Sequence, residues 1–197
     1  MTLPLHALLL VLVGLAACGI APLGACTRVD VDVQRDGDTF RIEAMLFAPV
    51  AREIAWEVLT DFERMATFVP NVTRSRIVSQ QGTRVVVAQR GVARFGPLAF
   101  AFESERAVEL SPPHEIRSGQ TKGNMRRLES VTRFVAVEGG TEIVYRVEVD
   151  PGAFFPAALT ERFLVHEIDE QFAAIAEEMI RRQRRRADAE SVRPRSP

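Results

Sequence analysis

Apolar and polar positions change period along this chain, and the changes mark its elements. "RVDVDVQ" (28–34) alternates, with Val29, Val31 and Val33 against Asp30 and Asp32. "RDGD" (35–38) reads as a hairpin turn with Asp-Gly at its centre. "TFRIEAML" (39–46) alternates again, with Phe40, Ile42, Ala44 and Leu46 on one face, so both runs are half-buried strands. After Pro49 the period lengthens. Residues 51–60 read as a helix presenting Ala55, Val58, Leu59 and Phe62 on one face. Asp61 is placed to cap a second short helix, which must stop before Pro70 because the residue preceding a proline is pushed out of helical space.

Residues 72–150 return to the two-residue period. "RIVSQ", a turn at Gln81-Gly82, "TRVVVAQR", a turn near Gly91, a long run from Phe95 to Leu110 and a break at "SPPH" follow in order. "EIRSGQT", "MRRLESVTRFVAV", a turn at Gly139-Gly140 and "TEIVYRVEVD" (141–150) complete the series. Short turns between consecutive strands predict antiparallel neighbours, and one polar face predicts a sheet covered on one side only. The cover comes last. Residues 156–186 form a helical pattern about 45 Å long at about 1.5 Å per residue. Leu164, Ile168, Phe172, Ile175 and Met179 make its apolar stripe.

The helical stretch "WEVLTDFERMATFVPNV" (56–72) carries more apolar surface than one stripe can hide. Its surplus aromatics must cover either more core or a ligand. The totals allow one domain with a proper core: 197 residues, 47% hydrophobic. Net charge is −1, which gives no argument for nucleic acid. The charge is unevenly spread. Residues 181–197 hold seven arginines against Asp188 and Glu190, a local excess of +5 that leaves −6 elsewhere. "RRQRRR" (181–186) reads as the end of the last helix, dissolving into a basic tail (184–197). That tail is either solvated or adheres to anionic lipid headgroups.

The first 25 residues carry an export pattern. Leu8–Ala17, "LLLVLVGLAA", is too short to span a bilayer and suits the apolar core of a signal. "LAAC" (15–18) makes Cys18 a lipidation candidate, while "LGAC" (23–26) offers a cut after Ala25. Either way the expected location is exported, periplasmic or anchored on the periplasmic side. With Cys18 and Cys26 both at this end, the domain that follows holds neither disulfide nor thiol nucleophile.

The order of strands, two short helices, antiparallel strands and a long C-terminal helix resembles the START-like helix-grip fold (the SRPBCC superfamily), an α+β architecture. "APVAREIAWEVLTDFERMATFVPNV" (48–72) and "GNMRRLES" (123–130) resemble its polyketide cyclase / coenzyme Q-binding branch. The resemblance spans about residues 40–182. It implies a curved antiparallel sheet wrapped around the long helix, with an apolar cavity between them. Members bind lipids, sterols, isoprenoid quinones, polyketides or plant hormones, and a minority are cyclases or hydrolases. The export pattern departs from coenzyme Q-binding relatives, which work inside the cell or mitochondrion. On this frame Phe62, Phe68 and Val69 would line the cavity mouth. Phe100, Phe102, Leu128, Thr132, Phe134, Tyr145, Ile168 and Phe172 would line its walls.

Candidate chemistry is sparse. His114 lies in a Pro-Pro-His loop, His166 falls opposite the stripe of the last helix, and no histidine pair has metal-ligand spacing. No metal and no cofactor are expected. If the strand from Leu98 runs regularly, Arg106 points inward with Phe100, Phe102 and Val108. It is then a ligand anchor, or is paired with a glutamate, or a bulge turns it to solvent. Tyr145 is a core or wall residue whose hydroxyl needs a partner. Phe154 and Phe155, between prolines, either gate a cavity, touch a membrane or pack in their loop. The expected function is non-catalytic binding or transport of an apolar small molecule by a monomer, with membrane contact through Cys18 or the basic tail. The alternatives are a cyclase or dehydratase using Arg106, Tyr145 or a carboxylate, and an envelope interaction module with a filled core.

Overall fold

In the computed structural model, residues 27–152 and 160–191 are described. Eight strands form one sheet in the order β1-β2-β8-β7-β6-β5-β4-β3, every neighbouring pair antiparallel. The strands are β1 (Arg28–Asp36), β2 (Thr39–Ala48), β3 (Val72–Gln81), β4 (Arg84–Phe95), β5 (Leu98–Ser111), β6 (Glu115–Gly123), β7 (Arg127–Val137) and β8 (Gly140–Asp150). Helix α1 (Arg52–Thr60) and a 3-10 helix (Phe62–Thr67) separate β2 from β3, and α2 (Thr160–Ser191) ends the chain. This is the helix-grip arrangement the element order predicts.

The alternation of β2 and β8 becomes one apolar face: Phe40, Ile42, Ala44 and Leu46 are buried beside Ile143, Val147 and Val149. Against it lie Ile54, Ala55 and Val58 of α1 and Phe172, Ile175, Ala176 and Met179 of α2. The outer face keeps the charges, as in the Arg146–Glu43 pair at 2.9 Å.

Several local expectations shift. The β1–β2 turn is Gly37-Asp38, one residue later than "RDGD" suggested, because Asp36 already pairs with Thr39. Gly37 supplies the positive φ of 62° that the turn requires. Gly91 is not a turn residue. β4 runs through it, pairing it with Phe102, and the reversal comes at Gly96. Glycine is needed there for closeness: a Cβ at Gly91 would lie 1.9 Å from the Asn71 carbonyl oxygen and 2.4 Å from the Phe102 ring. Asp61 caps no helix with its side chain; its carboxylate accepts instead from Arg182, 2.6 Å away on α2.

The basic segment expected to dissolve after residue 183 stays helical to Ser191. Its arginines fasten the helix: Arg181, Arg182 and Arg185 converge on the buried Glu178, and Arg186 reaches Glu57 of α1 at 2.8 Å. Cys18, Cys26, Phe154, Phe155 and residues 192–197 lie outside the described residues.

Candidate functional site

Between the inner sheet face and the helices lie two adjoining apolar lobes. One, about 170 Å³, is walled by Leu59, Phe62, Met65, Val69, Ile116 and Phe172. The other, about 180 Å³, is walled by Phe100, Phe102, Met125, Leu128, Phe163 and Leu164. Both share Val72, Gln89, Arg106, Tyr145, Ile168 and Gln171, so these residues form a waist. The surplus apolar surface of residues 56–72 is thereby divided between cavity and core. Phe62 and Val69 line the first lobe. Trp56 packs edge-on against Phe134, with ring centroids 5.4 Å apart.

The predicted wall residues separate in the same way. Phe100, Phe102 and Leu128 reach the second lobe, Phe62, Val69, Thr132 and Phe172 the first, and Arg106, Tyr145 and Ile168 both. Phe134 does not reach the lobes: it is buried in the core against Trp56, because β7 carries it past the cavity to the α1 end of the sheet. Phe68 sits under the Arg182 guanidinium, 5.7 Å from Cζ to the ring centroid, outside both lobes.

The waist is polar. β5 runs regularly enough to keep Arg106 on the face of Phe102 and Val108, so its guanidinium points inward. Nη2 donates to Gln89 Oε1. Nε is covered and has no hydrogen-bond partner. Among the described residues, Nη1 has no hydrogen-bond partner. No salt bridge joins Arg106 to a carboxylate among the described residues. Burial draws this guanidinium down from its ordinary value, with Tyr145 acting the other way. It stays charged, since an arginine in a protein does not lose its proton. Burial pushes the Tyr145 hydroxyl up, only partly offset by the Arg106 charge and the Ser130 hydroxyl. Tyr145 is braced edge-on against Phe172, 5.6 Å between centroids. Ser118 and Ser130 face each other across β6 and β7 at 3.2 Å.

Two polar groups of the site were legible but unread. Gln89 follows Val85 and Val87 on the inward parity of β4, so alternation alone points it into the cavity. Gln120 stands opposite Arg106 in the β5–β6 register, with its Nε2 on the Met125 carbonyl at 2.7 Å and its Oε1 unpartnered.

At the edge of the second lobe, Glu167 of α2 clasps the sheet. Its Oε2 accepts from Asn71 Nδ2 at 2.7 Å and its Oε1 from the Arg94 amide at 3.2 Å. Burial raises its carboxyl above the ordinary value, the Arg94 amide opposes this and Glu170 adds to it. The ligating atoms of His166, Glu167 and Glu170 lie within 4.8 Å of one another, a grouping that a search for histidine pairs alone passes over. Both Glu167 oxygens and Glu170 Oε2 are engaged in holding Asn71 and Arg94, so the cluster already has a structural task.

The outer sheet face bears a wider, open trough of about 1080 Å³. Its charges pair across strands, as in Arg146–Glu43 at 2.9 Å, and it lacks enclosing apolar walls. The lobes, less open than the trough and walled mostly by apolar side chains, are the better ligand site on physical grounds.

The sheet, the gripping helix and the cavity define a START-like protein. The chain belongs to the polyketide cyclase / dehydrase and lipid transport family, matched over residues 48–176. Among solved structures it is similar to a START superfamily protein from Mycobacterium smegmatis, at 11% identity and TM-score 0.61, covering 72% of this chain and 97% of that one. It is similar to the ZhuI aromatase/cyclase from Streptomyces sp. R1128, at 17% identity and TM-score 0.61, covering 73% and 95%. It also resembles human StAR-related lipid transfer protein 5, at 12% identity and TM-score 0.62, covering 82% and 89%. At such identities the likeness concerns the fold. No curated protein matches the chain.

Proposed function

We propose that this protein binds and carries an apolar small molecule in the two-lobed cavity without transforming it. The observation that supports this reading is the waist: one charged, incompletely partnered donor set between two apolar lobes. Burial of apolar ligand surface at about 25 cal/mol per Å² supplies the affinity, and the waist supplies orientation. The likeness to a lipid transfer protein agrees with this class.

Catalysis is the weaker reading. A general acid–base pair works best near the operating pH. Among the described residues, the ionisable groups lining the lobes are Glu103, Arg106, Tyr145 and Glu167. Tyr145 is moved away from neutrality, and both oxygens of Glu167 are engaged in hydrogen bonds. The reading includes an exported location, on the apolar run Leu8–Ala17 and the processing sites at Cys18 and Ala25.

Native mass spectrometry of protein purified from its membrane-containing fraction, followed by organic extraction, tests the proposal. A stoichiometric lipid, quinone or polyketide-like adduct is expected. Protein that is free of ligand and takes up no apolar probe would overturn it.

A further inference from the structure

Building on the ligand-binding reading, we propose that the cavity selects organic acids: its ligand is an apolar molecule bound as a carboxylate at Arg106. The argument is one of unbalanced charge and unbalanced donors. A guanidinium held in an enclosed, largely apolar site is costly unless an anion or a full set of acceptors meets it. This one has a single neutral protein acceptor among the described residues, the Gln89 amide, which leaves Nη1 without a hydrogen-bond partner. No carboxylate pairs with it among the described residues, although other arginines of the same sheet pair with glutamates on neighbouring strands, as Arg90 does with Glu103 and Arg146 with Glu43. No anion for it is supplied by the described residues, and an anionic group on the ligand would meet it.

The neighbours sharpen the class. Tyr145 keeps its proton, so its hydroxyl is available as a donor beside Arg106. The Ser118 and Ser130 hydroxyls continue the same polar band. Gln89 Oε1 is consumed by Arg106, and Gln89 Nε2 donates to Ser75 and Met65. Gln120 Oε1 stays unpartnered nearby, but the charged group of the waist is the Arg106 donor set, which suits a ligand group that accepts. A carboxylate does so with two oxygens, matching the guanidinium fork and one phenol. A phosphate monoester would bring up to two charges against one cation. An alcohol or ester brings no charge at all. The lobes to either side then take the apolar body.

The test uses the full folded protein and a neutral reporter, N-phenyl-1-naphthylamine, displaced by decanoic acid, methyl decanoate and decan-1-ol at neutral pH. Decanoate is expected to compete about tenfold or more better than the ester or alcohol, as one charge-assisted hydrogen bond warrants. Arg106→Met should abolish that preference while still binding the reporter. Equal competition by acid, ester and alcohol in the unmodified protein would overturn the carboxylate assignment and leave the apolar-binding reading intact. Failure of the reporter and all three competitors to bind would overturn the binding reading itself. The comparison in the unmodified protein decides the matter even if the Arg106 variant fails to fold.

Discussion

At the scale of single residues, Glu167 at the edge of the second lobe and Gly91 behind its Phe102 wall each carry a testable consequence. Gly91 lets the Asn71 carbonyl and the Phe102 ring approach the β4 backbone, and Val92 N–H bonds that carbonyl at 3.0 Å. Gly91→Ala puts a methyl group where backbone already lies, so strands must part. We expect a loss of about 2 kcal/mol or more, the upper range for overpacking, measured by urea unfolding. Glu167 is the titrating member of the two. Its carboxyl is raised above the ordinary 4.5, chiefly by burial, so the folded protein binds its proton more tightly than the unfolded chain. The contribution is fully present below 4.5 and is lost as pH rises through the raised value. The stability difference between Glu167→Gln and the parent should therefore move in the variant's favour from pH 4.5 towards neutrality. A difference that is flat, or moves the other way, would show that the clasp offsets the burial.

Among elements, the junction of α1, the 3-10 helix and the C-terminal half of α2 ties the helices together just beyond the first lobe. Arg182 spans it, donating to Asp61 at 2.6 Å and Glu178 at 2.7 Å while covering Phe68. Burial pushes the Glu178 carboxyl up, but hydrogen bonds from Arg182 and Arg181 outweigh it and hold the group below the ordinary carboxylate range. That contribution is present above 4.5 and is lost as acid takes pH down through the lowered value. Arg182→Gln leaves the buried Glu178 with its more exposed partners only. A loss of about 1–3 kcal/mol is expected near neutrality, with a shallower acid dependence than the parent because less of the Glu178 shift remains to be lost, by thermal or urea unfolding. Among the described pairs, removing residues 184–197 deletes the exposed Arg186–Glu57 pair and the longer contact of the exposed Arg185 to Glu178, leaving Arg181 and Arg182 on Glu178, so it should cost less than Arg182→Gln, about 1 kcal/mol, by the same measurement.

For the molecule as a whole, one sheet and one long helix enclose a cavity because the helix covers the sheet without filling it. The inner face is apolar at both ends, around Ile143 and Val149, and polar at the waist, around Arg106 and Tyr145. A filled core would have apolar residues at the waist, at lower cost. Retention of the charge there, between walls made by six elements or more, gives the cavity its orientation. It also makes the choice between acid and ester the informative comparison.

Much of this was legible in the chain itself. Alternation in β2, β5 and β8 determined which residues face inward, Arg106 and Tyr145 among them, because the period of two leaves no other choice in a regular strand. The apolar stripe from Leu164 to Met179 determined the covering helix. Proline and glycine positions determined where strands reverse, within a residue at Gly37, though not at Gly91. What the tertiary structure alone decided was which inward residues meet each other. Phe134 and Phe100 both point inward from strands of the same sheet, yet one packs on Trp56 and the other lines a lobe. That depends on where α1 and α2 cross the sheet. The Asn71–Glu167 clasp, 96 residues apart in sequence, and the bond of Arg182 to Asp61, 121 apart, are beyond local pattern for the same reason. Periodicity records the face on which a side chain lies, whereas its partner is set by packing between elements distant along the chain.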